Sequence, residues 1–352
     1  MRIAITADNH LTTQQDHPER FASLQNILKQ CGELDIERLI IAGDLFDQSQ
    51  QNYAEFEQAI AEARPEILNV VVIPGNHDPQ LTQGALAVEG LEVFSEPVVQ
   101  PAGDSFQLLL VPFMVGTSMG EHIPPFHAQL SAGRWGLISH GDWESGLRAP
   151  DPNEPGVYMP LTRADLEANN PALAILGHIH APSDGPLVTY AGSPCPLDIN
   201  ETGLRRFLIL DTDTLEVTSQ RVDSPQIFFN ETVVMLPVED ERAFLETEIE
   251  KRIRSWNLPE GWEDRVRQRL GIVGYAADRP AVEAMARDLM KDYAFHDDGP
   301  DISELNHAVD TDRIHIAQQV QEWIEELEWP EADSEPTKEE IALEALRVIW
   351  EN

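Results

Sequence analysis

The sequence predicts a mixed α/β domain with two packed β-sheets over residues 1–222. Short apolar runs rich in Ile, Val and Leu recur along this part, and most of them end at a glycine or a charged residue, as buried strands do. Helical patterns separate the first three runs, whereas the later runs follow one another more closely. Two packed sheets therefore account for the pattern better than a single parallel sheet does. The runs are RIAIT, RLIIAG, NVVVIPG, FQLLLVPF, WGLISH and LAILGH.

Helices are predicted between the first three strands of this domain, and further strands after them. After the first strand, residues 18–31 carry apolar side chains at helical spacing, namely Phe21, Leu24, Ile27 and Leu28. A second helix is predicted over residues 52–63, before the third strand. Residues 105–140 look rich in strands, and the runs TYAGSP and RRFLILDTD predict further strands of a second sheet.

A change of pattern begins at residues 223–225, and residues 223–300 are predicted to form a small α+β domain. It comprises a strand (231–236), a helix (239–256), a strand (267–275) and a helix (280–291). Residues 301–352 are predicted to be C-terminal helices: 301–329 look helical, and the polar, proline-bearing segment 330–337 reads as a linker. The final segment, 338–350, is an amphipathic helix whose apolar stripe needs a cover. Either a partner's coiled coil or the chain's own body can supply that cover.

Composition limits the class of protein. Hydrophobic residues make up 42% of the 352 residues, which is enough for a substantial core and unlike a disordered chain. The start of the sequence does not resemble a signal peptide, and no stretch approaches the ~18 apolar residues of a membrane span. We therefore expect a cytoplasmic protein without a membrane partner. The two cysteines, Cys31 and Cys195, are far apart in sequence and are expected to be buried thiols.

The formal net charge of −38 is unusual for a chain with any nucleic-acid partner. Such a charge repels DNA, because backbone binding depends on Lys and Arg that neutralise phosphates. Two interpretations stay open. The acidity can be spread over the surface and serve solubility, or it can lie away from an active face that metal ions make locally positive.

Polar residues with metal-binding chemistry follow five of the apolar runs. Because ligand sites of α/β sheets gather at the carboxyl ends of strands, five such endings should bring these groups together. The endings are Asp8-Asn9-His10, Gly43-Asp44, Gly75-Asn76-His77-Asp78, Ser139-His140-Gly141 and Gly177-His178-Ile179-His180. Each ending by itself is also compatible with an ordinary turn, but five in one chain are not explained in that way.

The residue types then indicate the chemistry. Two Asp, four His and one Asn offer oxygen and nitrogen donors without thiolate, a set suited to Mn, Fe or Zn rather than to Ca. Seven side chains exceed the need of one ion and suit two divalent metal ions with a bridging carboxylate, about 3.5–4 Å apart. The predicted ligands are Asp8, His10, Asp44, Asn76, His140, His178 and His180.

The order of these motifs, Asp-x-His, Gly-Asp-x-x-Asp, Gly-Asn-His-Asp, His and Gly-His-x-His, resembles the calcineurin-like metallophosphoesterases. The resemblance implies a four-layer sandwich of two β-sheets flanked by helices. It implies that Asp8, His10, Asp44 and His180 hold one ion, and that Asp44, Asn76, His140 and His178 hold the other, with Asp44 bridging. His77 is implied as the catalytic histidine, near the leaving group.

A narrower resemblance, to the Mre11/SbcD nuclease branch, rests on GDLFD, IPGNHD, SHGD, GHIHAP and the segment YAGSPCPLDINETGLRRFLIL. It implies a Mn-dependent exonuclease and endonuclease that acts on single- and double-stranded DNA in repair. Residues 223–300 would be a DNA-capping domain, with Arg252, Arg254, Arg265, Arg267 and Arg269 as candidate contacts. The C-terminal helices would dock a Rad50/SbcC-like coiled-coil ATPase, and a homodimer is also implied.

Further assignments stay open at the level of sequence. Asp47 can orient a metal ligand or serve as a turn or cap residue, and His17 can touch substrate or be an ordinary loop residue. Tryptophans such as Trp256 and Trp350 can stack on bases, but anchoring of helices is the simpler interpretation. Besides the nuclease, a phosphatase or cyclic-nucleotide phosphodiesterase of the same fold and a non-catalytic scaffold are candidates. The acidity favours the phosphatase or phosphodiesterase, and the complete ligand set argues against the scaffold.

Overall fold

The computed structural model describes residues 1–48, 52–143, 156–236, 238, 240–308, 311–327, 329 and 336–351. The helices are α1 (Pro18–Glu33), α2 (Tyr53–Ala63), α3 (Arg163–Asn169), α4 (Glu241–Ser255), α5 (Arg279–Leu289), α6 (Thr311–Glu326) and α7 (Lys338–Glu351). The strands of the first part are β1 (Arg2–Thr6), β2 (Arg38–Ala42), β3 (Asn69–Ile73), β4 (Leu91–Val93), β5 (Val98–Pro101), β6 (Gln107–Val111), β7 (Trp135–His140), β8 (Leu173–Gly177), β9 (Ser183–Asp184), β10 (Thr189–Tyr190), β11 (Arg206–Asp211) and β12 (Val217–Arg221). Those of the second part are β13 (Ile227–Met235), β14 (Val266–Ala276), β15 (Ala294–Phe295) and β16 (Leu305–His307).

Contacts divide the chain into two compact units. The first unit comprises Met1–Leu197 and Leu204–Gln226, and the second comprises Asp198–Gly203 and Ile227–Asn352. The change of pattern predicted at residues 223–225 lies within a few residues of this division. The functional roles assigned to the segments 223–300 and 301–352 stay predictions.

The first unit contains two six-stranded sheets. The order of the first sheet is β12-β11-β1-β2-β3-β4, in which β1 to β4 run parallel and β11 and β12 are antiparallel to their neighbours. The order of the second sheet is β5-β6-β7-β8-β10-β9. Its four central strands, β6, β7, β8 and β10, are parallel, and the edge strands β5 and β9 are antiparallel to their neighbours. Parallel central strands are buried on both faces, which explains why they read as continuous apolar runs.

Alternation along the strands builds the layers, because successive side chains of a strand point to opposite faces. Ile3 and Ile5 of β1 pack in a core with Leu108 and Leu110 of β6, which places one core between the two sheets. Ala4, between the two isoleucines, packs in a separate core with the apolar faces of α1 and α2. A third core joins the outer face of the second sheet to α3 and neighbouring loops. The layers confirm the predicted mixed α/β fold with two sheets flanked by helices.

Helix α1 shows how local sequence positions the first loop of the unit. Pro18 occupies the first helical position, where its missing N–H costs no helical hydrogen bond. Phe21, Leu24 and Ile27 recur on one face and are fully buried against the first sheet. The helix therefore covers the sheet and returns the chain to β2, as its periodicity predicted.

The second unit is built on a four-stranded parallel sheet. Its central strand β14 pairs with β13 and also with β15 and β16. The parallel pairing of β13 and β14 requires a crossover, which α4 supplies. Asp240 caps α4 by accepting a hydrogen bond from the Ala243 N–H, and Asp278 caps α5 in the same way. Trp256 lies in this unit with its ring stacked on Phe229, so it anchors the fold.

One expectation for the C-terminal region changes, and another falls mostly outside the described residues. Residues 301–329 were expected to be helical, but Leu305–His307 form β16, and the helix α6 begins only at Thr311. The sequence favours a helix over this stretch, whereas tertiary pairing with β14 makes its first part a strand. The predicted linker 330–337 lies outside the described residues except for its last two positions.

The apolar stripe of α7 is covered by the chain's own second unit. Leu346 is 2% exposed and packs in a core with Leu236 and Tyr275. The ring of Trp350 stacks on that of Tyr275, with centroids 4.6 Å apart. Of the two covers considered for this stripe, the body of the chain is therefore the one that the structure provides.

Both cysteines are free and buried, as expected. Burial raises the pKa of the Cys31 thiol to about 12 and that of Cys195 to about 11. Among the residues described, no helix combines the length and the apolar character that crossing a bilayer requires.

Candidate metal centre

Five strand ends of the first unit carry the predicted site residues. Asp8 and His10 follow β1, Asp44 follows β2, and Asn76 and His77 follow β3. In the second sheet, His140 is the last residue of β7, and His178 and His180 follow β8. Because β1 to β3 are parallel neighbours, and β7 and β8 are as well, each set of endings lies at one edge of its sheet.

Within the described residues, the side chains converge into three overlapping groups, each with ligand atoms within 4.8 Å of one another. The groups are Asp8 with His10 and His180, His10 with Asp44 and His77, and Asp44 with His140 and His178. Asp44 belongs to two of them. A carboxylate shared in this way is the arrangement expected for two neighbouring metal ions.

The two carboxylates divide their oxygens between backbone and site. One oxygen of Asp8, Oδ1, accepts a hydrogen bond of 2.8 Å from the His178 N–H, and the buried Oδ2 has no hydrogen-bond partner. One oxygen of Asp44, Oδ1, accepts a hydrogen bond of 2.8 Å from the His77 N–H, and its Oδ2 lies 3.2 Å from Nε2 of His140. The backbone therefore fixes one oxygen of each carboxylate, and the second oxygen of Asp44 faces an imidazole.

The imidazoles of His10 and His180 approach each other through their Nε2 atoms, close to Asp44. Nε2 of His10 lies 3.1 Å from Nε2 of His180 and 3.6 Å from Oδ2 of Asp44. Asn76 joins the other side, where its Oδ1 lies 2.8 Å from Nε2 of His140 and 3.0 Å from Nδ1 of His178. All seven predicted ligands are thus brought together.

The charges of the site are strongly coupled. Burial lowers the pKa of His140, but the negative charges of Asp44 and Asp8 outweigh burial and raise this pKa to about 10. Burial also opposes ionisation of Asp44, yet the His140 and His10 imidazoles hold its pKa well below the usual range. The pKa of Asp8 is raised, chiefly by burial. A divalent cation beside these buried carboxylates would favour their charged forms over the protonated ones.

The backbone around the ligands is unusual. Asp8, His10, Asp44 and His178 all have positive φ, between 45° and 97°, a region that L-residues with side chains seldom adopt. Such strain persists only where the surrounding structure over-determines it, and it clusters at functional sites. Gly75 has no room for a side chain, because an added Cβ would lie 2.1 Å from Oδ1 of Asp44.

Asp47 lies where it can orient a ligand. Its Oδ1 is 3.2 Å from Nδ1 of His10, on the opposite side of the ring from the nitrogen that faces His180 and Asp44. Its pKa is lowered, first by the hydrogen bond with His10 and also by the nearby charge of Arg20. Arg20 lies 3.8 Å from the same carboxylate. A carboxylate on the outer nitrogen of a ligating histidine fixes the ring and its tautomer.

His77 and His17 occupy different settings. Nδ1 of His77 lies 3.0 Å from the backbone oxygen of Asp47, which places its proton on Nδ1 in the neutral ring. The ring packs edge-on against His10, with centroids 4.6 Å apart. His17 lies just before α1, and its Nδ1 is 2.9 Å from Oε1 of Glu19. His17 is not part of the three convergent groups.

Sequence reasoning gave no role to Asp78, Asp142 or Tyr190. Asp78 is fully buried and accepts hydrogen bonds from the N–H groups of Gly75 and Phe46, so it ties the loop after β3 to the loop after β2. Burial and the charge of Asp44 raise its pKa to about 6. Their spacing in the sequence could have indicated two of these residues, because Asp78 and Asp142 each lie two positions after a predicted metal ligand.

The donors fit two divalent transition-metal ions. Carboxylate, amide and imidazole groups converge without a thiolate, and the buried Oδ2 atom of Asp8 has no hydrogen-bond partner. Asp8, His10 and His180 would hold one ion, and Asn76, His140 and His178 the other, with Asp44 between them. The donor set does not select among Mn, Fe and Zn.

The match to a protein-family model agrees with this chemistry. A family model described as calcineurin-like phosphoesterase matches residues 1–182. Among solved structures, an archaeal phosphodiesterase matches at 16% identity and a TM-score of 0.34, over 63% of this chain and 100% of that one. The purple acid phosphatase PPD1 from seeds of yellow lupin, Lupinus luteus, matches at 13% identity and a TM-score of 0.41, over 62% of this chain and 52% of that one. A search of curated proteins gave no match.

Proposed function

The chain belongs to the calcineurin-like phosphoesterase family, and from this premise we propose that it hydrolyses phosphodiester bonds in DNA with two divalent metal ions. The observation that carries the proposal is the position of Asp44, which is shared between two groups of donors. A site for one ion would not need this second group of donors. We propose Mn as the metal because of the resemblance to the Mre11/SbcD branch, with Fe or Zn as alternatives that the donor set fits equally well.

The ions, when bound, supply a nucleophilic hydroxide near neutral pH and offset charge that builds on the phosphate oxygens. The chain's own residues then have separate tasks. Asp44 holds the two positions together, and Asp47 orients His10 through its outer nitrogen. His77 carries its neutral-form proton on Nδ1, held by the Asp47 backbone. A protonated His77 donates a proton to the leaving 3′-oxygen or stabilises the charge that develops there.

Two features support DNA as the substrate. The segment from Tyr190 to Pro194, followed by Asn200 and Glu201, resembles the Mre11/SbcD branch. In addition, the chain has a second compact unit with its own sheet, which hydrolysis of a small ester does not require. We propose that this unit serves as the DNA-capping domain of a repair nuclease.

One observation favours a different substrate, a small phosphate ester. Three of the five arginines that were candidate DNA contacts are paired with neighbouring acids: Arg252 with Glu248 at 2.7 Å, Arg254 with Glu250 at 3.9 Å, and Arg269 with Asp297 at 2.7 Å. Paired arginines bring little net positive charge to a phosphate backbone. A phosphatase or cyclic-nucleotide phosphodiesterase is therefore the second candidate function.

We also propose a Rad50/SbcC-like coiled-coil ATPase as partner, because it would supply DNA affinity that this acidic chain lacks. The helix α6 exposes large apolar side chains, with Trp323 64% and Ile316 50% exposed. On α7, Leu346 is buried in the second unit and Val348 is exposed, so among the described residues α6 presents the larger exposed apolar side chains. A homodimer remains part of the same proposal.

A substrate panel tests the function. The purified chain, loaded with Mn²⁺, would be incubated with labelled single- and double-stranded DNA, bis-p-nitrophenyl phosphate and cyclic nucleotides. We expect Mn-dependent cleavage of DNA. Cleavage of only the small esters would replace DNA by the second candidate, and no cleavage by a protein with two bound ions would indicate a scaffold. A variant without metal, Asp44→Ala, controls for contaminating nucleases.

A further inference from the structure

Asp142 lies two residues after His140 and is 6% exposed. Its Oδ1 is 3.7 Å from Nε2 of His178. The other nitrogen of that ring, Nδ1, lies 3.0 Å from Oδ1 of Asn76, on the side of the metal centre. The two nitrogens of His178 therefore face different groups: one faces Asp142, and the other faces the predicted ligands.

This geometry bears on the tautomer of His178. A neutral imidazole carries one N–H, and a metal ion can be bound only by the nitrogen that lacks the proton. A carboxylate beside Nε2 favours the tautomer with its proton on Nε2, because that proton then points at negative charge. The lone pair is left on Nδ1, where Asp44 and His140 complete the group.

Asp142 is itself firmly held. Its Oδ2 accepts a hydrogen bond of 2.7 Å from the Tyr158 N–H, and its own N–H donates to the Tyr158 oxygen at 2.8 Å. Its backbone oxygen accepts from the Leu161 N–H at 2.8 Å. With Oδ2 occupied in this way, Oδ1 is directed to His178.

Tyr190 fixes the backbone on both sides of Asp142. The Tyr190 hydroxyl donates to the Gly141 oxygen at 3.1 Å and accepts from the Trp143 N–H at 2.8 Å. This buried tyrosine lies on β10, next to β8, the strand that precedes His178. One hydroxyl group thus bridges the residues before and after Asp142.

We propose that Asp142 is a positioning residue that selects the metal-binding tautomer of His178, and that the Tyr190 hydroxyl holds Asp142 in place. Asp142 thereby sets the affinity of one of the two ions, the one held by Asp44, Asn76, His140 and His178. The inference rests on the proposed two-metal function and adds residues that the ligand motifs do not include.

The isosteric variant Asp142→Asn gives the sharpest test. The Tyr158 N–H requires an oxygen at the Oδ2 position, so the amide NH₂ would face Nε2 of His178 and favour the wrong tautomer. Calorimetric titration of the full chain with Mn²⁺ should show one ion bound about 10- to 100-fold more weakly and the other unchanged within about twofold. The control Asp104→Asn, at an exposed loop carboxylate, should leave both affinities unchanged.

A second variant, Tyr190→Phe, removes both hydroxyl contacts and keeps the ring. It should weaken the same ion by a smaller factor than Asp142→Asn does. A purely structural role for Asp142 would be preserved by asparagine and would leave the affinities as in the wild type, which would overturn the inference. Complete loss of one ion at saturating Mn²⁺ would also overturn it, because Asp142 would then be a ligand. A wild-type chain without two sites would refute the proposed function and this inference together.

Discussion

At Asp44 and Asp8, single carboxylates serve backbone and site at once. In each, one oxygen is held by an N–H from a loop of another strand, His77 for Asp44 and His178 for Asp8. The remaining oxygen of Asp44 lies 3.2 Å from Nε2 of His140, and that of Asp8 is buried without a hydrogen-bond partner, so the position of each is set before any cation arrives. Such preorganisation makes a site selective for ions that accept this geometry.

Replacing Asp44 should remove both ions, because it is shared by two donor groups. We expect the Asp44→Ala variant to bind neither ion, as measured by elemental analysis after dialysis. Asp35→Ala is a matched control, since Asp35 is exposed and has nearly the same left-handed φ, 52° against 48°. Two ions retained by Asp44→Ala would contradict the shared position.

Replacing His77 should separate metal binding from turnover. His77→Ala is expected to keep both ions and to lose about 100-fold or more in kcat, the usual contribution of general acid–base catalysis. The comparison is His127→Ala, an exposed histidine of the same unit that contacts Asn169. Turnover close to that of the wild type in a metal-replete His77→Ala protein would rule out the proposed role.

Gly43 should not tolerate a side chain. Its φ is +91°, and an added Cβ would lie 1.9 Å from Nδ1 of His140. Gly43→Ala should lower the free energy of unfolding by at least about 1–3 kcal/mol and weaken metal binding. Gly84→Ala, where no atom lies within 4 Å of the added carbon, should change stability by less than about 0.5 kcal/mol. Equal effects of the two substitutions in urea unfolding would contradict the argument.

At the scale of elements, the site is a product of parallel strands that end at one edge. The endings of β1, β2 and β3 are neighbours because these strands pair in register, and those of β7 and β8 are neighbours for the same reason. Burial of Asp78 between two loops reinforces this arrangement, since it bonds to the N–H groups of Gly75 and Phe46. The loops therefore have little freedom to move apart.

Helix α7 is an integral part of the second unit, because Leu346 is buried with Leu236 and Tyr275. Leu346→Ala should lower the free energy of unfolding of this unit by about 2–4 kcal/mol, through lost burial and a residual cavity. Val348→Ala, on the same helix and 57% exposed in the wild type, should cost less than about 0.5 kcal/mol. Calorimetric unfolding measures both, and similar shifts for the two variants would show that α7 does not pack as described.

At the scale of the whole molecule, the charge of −38 dominates encounter with an anionic substrate. Paired arginines such as Arg252 and Arg269 do not relieve it. The two metal ions would then be the main source of positive potential near the substrate phosphate. Affinity for DNA would be concentrated at the cleaved bond, and extended binding would depend on a partner.

Salt dependence tests this account. A nuclease that neutralises several phosphates with basic side chains loses about 10³-fold or more in affinity between 50 and 200 mM salt. For this chain we expect kcat/KM on DNA to stay within about threefold or to rise over that range, because salt screens the repulsion between two anions. Bis-p-nitrophenyl phosphate serves as the control for salt effects on the chemistry. A fall of more than about tenfold on DNA alone would reveal a basic surface that the paired arginines do not suggest.

Several parts of this protein could be predicted because they are properties of short segments. Strand-length apolar runs and the helical spacing in α1 each reflect a local periodicity, and the mixed fold with two sheets follows from them. The seven predicted metal ligands could also be identified, since polar residues at the ends of parallel strands meet at one edge of a sheet. The strand β16 was missed, because its pairing with β14 overrides a local preference for helix.

The fold class, the donor types and the strand ends that carry them can be read from the amino-acid sequence. The contacts need the folded chain: which oxygen of Asp44 bonds to His77 and which faces His140, the packing of α7 on Tyr275, and the approach of Asp142 to Nε2 of His178. The physical reason is the range of the interactions. Periodicity is fixed by neighbours along the chain, whereas a contact between two loops depends on strand register and on how the sheets pack.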